Sequence, residues 1–196
     1  MILNRLQQAV LQSRFVGIYN NTDRPTVFAA GRARVCNEEI TILSSVTKDG
    51  LEDGIAVRAT PFIFKMEEDT HYLKSLDALW QYYGAKISEF EGAVRVEAIC
   101  SFHDLFAHCR RVGAIVSLWS NNDLINEACG TVANVQDGFL LVNLLAPSGE
   151  SDGCMTLRVE DVQSVNVGGF DERRRGIARK LLLSNEKAEG VRPEWS

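Results

Sequence analysis

The apolar positions change period along the chain. Ile2, Leu3, Leu6 and Val10 recur at helical spacing with Asn4, Arg5, Gln7 and Gln8 between them, which predicts an amphipathic helix to about Ser13. From Phe15 the pattern becomes short runs rich in β-branched and aromatic residues, predicting strands at 15–19, 27–36, 39–46, 55–59 and 62–66. The Asn20, Asn21, Thr22, Asp23, Arg24 and Pro25 cluster reads as a turn, 48–54 as a glycine-bearing loop, and Pro61 as a bend or sheet edge. Helical spacing returns at Tyr72, Leu76, Leu79, Trp80 and Tyr83, behind Glu67, Glu68 and Asp69, which suit the positive end of a helix dipole. Val94, Arg95, Val96 and Glu97 fit a strand or an early helix equally well.

The second half repeats the first. At an offset of 99 residues, Gly31, Gly50, Asp53 and Gly54 fall on Gly130, Gly149, Asp152 and Gly153. The apolar Ile40, Ile42, Leu43, Val46, Ile63 and Met66 likewise fall on Phe139, Leu141, Val142, Leu145, Val162 and Val165, so Ile42 and Leu141 are expected in the core. Recurrence of glycines where turns need them and of apolar residues where strands bury them is stronger than the identities alone. Phe102, Leu105 and Cys109 repeat the entry helix, and Asp171 could cap a final helix that buries Ile177, Leu181 and Leu182. The expected organisation is a unit at 1–83, a linker at 84–93 and a second unit at 94–190, each a set of short strands preceded and followed by a helix.

Composition narrows the function classes. With 45% hydrophobic and 24% charged residues the chain is that of a folded globular protein, and no apolar run approaches the roughly 20 residues that span a bilayer. The start lacks a continuous apolar signal segment, so a cytoplasmic protein with no membrane partner is expected. A net charge of −5, with acidic residues exceeding basic ones in both halves, argues against generic attraction to nucleic acid. Five cysteines form no C-x-x-C pair, and Cys36, Cys109, Cys129 and Cys154 align with apolar residues, which reads as buried thiols. Cys100, His103 and His108 lack zinc-site spacing, no nucleophile elbow occurs, and no glycine-rich phosphate loop is present. No catalytic set, metal or cofactor is therefore expected. The dense basic run Arg173, Arg174, Arg175, Arg179 and Lys180 sits on the final helix among acidic neighbours, and Arg58 and Arg158 recur near the end of the fourth strand of each half.

One helix followed by five short strands, twice over, with mid-strand Gly31 and Gly130 and the run Gly138, Phe139, Leu140, Leu141 and Val142, resembles the Sm-like family. That resemblance implies a mainly β fold of two duplicated SH3-like small barrels that assemble edge to edge into rings. A trimer with six barrels is its expected assembly. It also implies single-stranded RNA or a protein as partner, bound through Asn134, Asp137, Arg58 and Arg158, to which the basic run of the final helix adds Arg173 and Arg174 as candidate phosphate contacts. The family's Asp and Asn pair is matched loosely by Asn134 and Asp137, and Ala59 and Val159 follow the two strand-end arginines where the family has glycine. The expected role is a non-catalytic binding scaffold, the alternative a protein-interaction module without nucleic-acid activity.

Overall fold

A computed structural model of the protein describes residues 1–93, 95–121 and 123–189. In chain order the elements are α1 (Ile2–Leu11), β1 (Phe15–Tyr19), β2 (Ala29–Cys36), β3 (Ile40–Val46), β4 (Glu52–Ala59), β5 (Lys65–Glu68), α2 (His71–Tyr82) and α3 (Glu89–Ala93). They continue with α4 (Phe102–Val112), β6 (Ile115–Ser120), β7 (Asp123–Gln136), β8 (Phe139–Leu145), β9 (Ser151–Arg158), β10 (Val162–Val167) and α5 (Phe170–Glu189).

The ten strands form one sheet in the order β5-β1-β2-β3-β4-β10-β6-β7-β8-β9, with every neighbouring pair antiparallel. This corrects the expectation of two closed Sm-like barrels. The outer edge of β4, which closure of the first five strands would have to use, is taken by β10, pairing Ile55 with Val167 and Val57 with Val165. The sheet is open, and β5 and β9 are its edges.

Each run of five strands nevertheless follows the same order, fifth, first, second, third, fourth. Register breaks recur at matched places, between Ala33 and Val35 and between Val132 and Asn134. The repeating glycines have a clear cause. A Cβ on Gly31 would lie 2.0 Å from the Ser44 carbonyl oxygen, and one on Gly130 would lie 2.0 Å from that of Asn143. No side chain fits where these strands cross so closely.

Helices cover the sheet. α1 packs on β2 through Leu6 and Ala9, and α4 packs on β7 through an apolar stripe of Phe102, Leu105, Phe106 and Cys109. The largest core cluster crosses the midpoint of the chain, joining Ile40, Ile42, Ile55 and Val57 of β3 and β4 to α4, β6, β8 and β10. Ile42 is fully buried, but Leu141 is only half-buried, because on β8 Leu140 and Val142 take the core face. Residues 84–93 include α3, with Ser88, Phe90 and Glu91 buried, and Val96–Ala98 forms a 3-10 turn. Val94 and the end of the chain from Gly190 lie outside the described residues.

Two helix expectations need correction. Glu67 and Glu68 belong to β5, and the helix starts only at His71, where the Thr70 hydroxyl accepts the Leu73 N–H. On α5, Ile177 and Leu181 are exposed, whereas Glu172 and Arg175 are buried. The cysteines divide too. Cys109 and Cys129 are buried, Cys36 is half-buried, and Cys154 is exposed on the edge strand β9.

Candidate functional site

The junction of β4, β10 and β6 with the first turn of α5 concentrates the polar side chains that the sheet buries. Arg58 is paired with Ser164 in the ladder and is 8% exposed. Its Nη1 donates to the Val57 carbonyl at 2.9 Å, the Val165 carbonyl at 3.1 Å and Asn166 Oδ1 at 2.9 Å. Burial lowers its pKa to about 10, still well above neutrality. The guanidinium therefore stays charged, and its plane is pinned to the ladder. Asn20, just after β1, donates to Ser164 Oγ at 2.7 Å and ties the first turn to the same junction.

The first turn of α5 is held by carboxylates on both sides. Phe170 N–H donates to Asp53 Oδ1 at 2.7 Å, Gly169 N–H donates to Glu172 Oε2 at 2.8 Å, and Arg173 pairs with Glu52. These contacts satisfy N–H groups that a helix start leaves without partners. Ser117 Oγ meets both Glu127 Oε1 and Glu172 Oε1. A hydroxyl has one proton to donate, so two carboxyl groups compete for it. Burial raises the Glu172 pKa above the ordinary carboxyl value. Arg175 closes the network, donating to the Leu145 carbonyl at 2.9 Å and lying 3.3 Å from Glu127. Burial also pushes the neighbouring Cys129 thiol up to about 11, so it is a neutral packing group and not a nucleophile.

A cavity of about 360 Å³ opens at this junction, with Arg58, Ser117, Glu127, Ser164, Asn166 and Glu172 on its polar wall and Phe28 and Trp119 on its apolar one. Among the described residues, no group of three or more His, Cys, Asp or Glu side chains could hold a metal ion. The arrangement can bind and orient a small polar molecule.

The residues expected from the sequence fall into two groups. Asn134, Asp137 and Arg158 gather at the turn between β7 and β8 and the end of β9, since Phe139 pairs with Arg158 and with Gln136. There Asn134 accepts from Arg110, Asp137 turns the chain with φ of 52°, and Arg158 is held by Glu160 and Asp161. Arg58 lies four strands away, in the middle of the sheet. Arg173 reaches the same strand through Glu52, and Arg174 pairs with Asp171.

Ser117 and Glu127 escaped sequence reasoning, and Glu172 and Arg175 entered it only as members of the charged run on the final helix, although a signal existed. Their counterparts in the first half are Gly17, Phe28, Leu73 and Leu76. Four apolar or small positions become polar together on repetition, and no such group change occurs at the repeat's other core positions named above. No protein-family model matches the chain, nor does any curated protein or solved structure.

Proposed function

We propose that the protein is a non-catalytic scaffold that associates with copies of itself through the two edges of its sheet, β9 of one copy pairing antiparallel with β5 of the next. The observation that carries this reading is the β4–β10 junction inside the chain. At the repeat offset, β9 is the counterpart of β4 and β5 the counterpart of β10. Repeating the internal register between copies sets Leu157 against the next copy's Lys65, Thr156 against Met66 and Met155 against Glu67. An unpaired strand edge is a template for further pairing, and β9 offers eight residues of it, mostly exposed. The charges of β5 are already paired within the chain, Lys65 with Glu67 and Glu68 with Arg5, so they do not repel an incoming strand as free charges would.

Protein is favoured over RNA as the partner, because Arg158, Arg173 and Arg174 are each occupied by a carboxylate and phosphate binding needs basic groups free to displace counterions. Head-to-tail pairing of this kind closes into a ring when the rotation per copy permits and otherwise extends. Light scattering coupled to gel filtration is expected to give a multiple of 21.8 kDa. In a background lacking the exposed Cys100 and Cys154, Thr156→Cys combined with Met66→Cys is expected to yield covalent oligomers on oxidation, since directly paired strand residues lie within disulfide reach. A mass of one chain at micromolar concentration, or no cross-link from the double variant, would end the proposal.

A further inference from the structure

The cavity at the β4–β10–β6 junction has a use that self-association leaves unassigned. We propose that it binds a small amino-carboxylate with an apolar side chain, an α-amino acid, the ligand's carboxylate seated on Arg58 and its ammonium between Glu172 and Asp171. This reading is independent of assembly through the strand edges.

Arg58 carries the argument. Nη1 makes all of its hydrogen bonds, whereas Nε and Nη2 have no protein acceptor among the described residues. Arg58 lines the cavity, and neither nitrogen is among the fully enclosed polar atoms that lack a partner. The Nε and Nη2 donors form one edge of the guanidinium fork, the edge whose spacing matches the two oxygens of a carboxylate. Three acceptors on Nη1 hold that edge still, so little side-chain freedom remains to be lost on binding.

The rest of the cavity supplies the other pole. Glu172 is 5% exposed and shares the Ser117 hydroxyl with Glu127, so two carboxyl groups stand together on this side of the cavity. An ammonium group brings a positive charge and three donors to them. Asp171, exposed and 3.2 Å from Arg174, also lines the cavity and has a second carboxylate oxygen to offer. Phe28 and Trp119 give the apolar wall, and about 360 Å³ falls within the roughly 300–1,000 Å³ usual for small-molecule pockets. The Ser117, Glu127, Glu172 and Arg175 set belongs to the second half, and its counterpart positions in the first half are Gly17, Phe28, Leu73 and Leu76. Where packing alone suffices once, replacement by a hydrogen-bonded ionic group at the same place points to a ligand.

The test uses the full chain and a panel of the apolar α-amino acids, each beside the amine that lacks its carboxylate and the acid that lacks its amine. Titration calorimetry is expected to show at least one amino acid binding with Kd below about 1 mM and its two truncated relatives at least about tenfold weaker. Arg58→Lys keeps a charge at the ladder but not the fork, and Asp171→Asn changes an exposed group. Each is expected to weaken binding about tenfold. The folded state of both variants is checked by circular dichroism, and Asp171→Asn carries the test if Arg58→Lys does not fold. No binding by any amino acid, equal binding of the truncated relatives, or unchanged affinity in folded variants would overturn the proposal.

Discussion

Ser117 stands between two carboxyl groups with one proton to give, and the consequence is a pH dependence with a definite sign. Burial sets the Glu172 pKa above its ordinary 4.5. The groups facing it are Ser117 of β6, Glu127 of β7, Arg58 and Asp53 of β4 and its own neighbour Gly169. Between the unfolded and folded values the native state holds more protons, so the stabilising contribution is complete below about 4.5 and is lost as pH rises through the raised value. Glu172→Gln removes the titration but keeps an acceptor for Gly169. Denaturant unfolding at several pH values from about 5 to 8 should show the parent losing stability relative to this variant as pH rises. A constant difference would show that the Glu172 pKa does not change on folding. At Gly31 the prediction is steric: Gly31→Ala should destabilise by at least about 2 kcal/mol in the same assay, because backbone and not a flexible side chain blocks the new methyl. Both glycines were legible in the sequence as repeated residues, since close approach leaves only one residue type. The carboxyl network was not, because its members come from β6, β7 and α5 and converge only through pairing.

At the scale of elements, α2 and α5 occupy matched places on the sheet by different chemistry. A Cβ on Gly50 would strike Leu79 of α2, and one on Gly149 would strike the α5 backbone at Arg179, so both helices press against the same turn. Yet α2 docks through Leu73, Leu76 and Trp80, and α5 through Glu172 and Arg175. Removing Arg175 leaves the buried Leu145 carbonyl without its donor, while its ionic partner Glu127 keeps contact with solvent, so Arg175→Ala should cost about 1–3 kcal/mol. Importing the chemistry of the first half, with Ser117→Ala, Glu127→Phe, Glu172→Leu and Arg175→Leu together, should leave stability equal or higher by about 1–4 kcal/mol. Thermal and denaturant unfolding measure both. A fourfold variant that fails to fold would mean that the network specifies the docking of α5. Helical spacing made both helices legible, but not the face of α5 that docks. Ile177 and Leu181 were expected inward because apolar residues usually turn inward, and here Glu172, held by Ser117 and Gly169, and Arg175, held by the Leu145 carbonyl and Glu127, take the buried face instead.

For the whole molecule, the places of the strands along the chain were legible and the way they pair into one open sheet was not. Hydrophobic alternation locates strands and repetition locates equivalents, but neither states which strand occupies the free edge of β4. That choice depends on the β4–β10 ladder and on a core cluster drawn from both halves. Residues 1–83 made alone would expose the edge of β4 together with Ile40, Ile42, Ile55 and Val57. Such a fragment is expected to show poorly dispersed amide resonances and to aggregate, and a well-dispersed monomeric spectrum would show that the first half is self-sufficient. The same pairing sets a timetable for biosynthesis. β4 ends at Ala59 and β10 begins at Val162, so at roughly 5–20 residues per second a ribosome leaves that edge bare for about 5–20 s. On a polysome, nascent chains side by side could pair their bare strands with one another before their own β10 emerges. A chaperone that shields strands during translation should therefore raise the yield of folded protein more than one supplied after release.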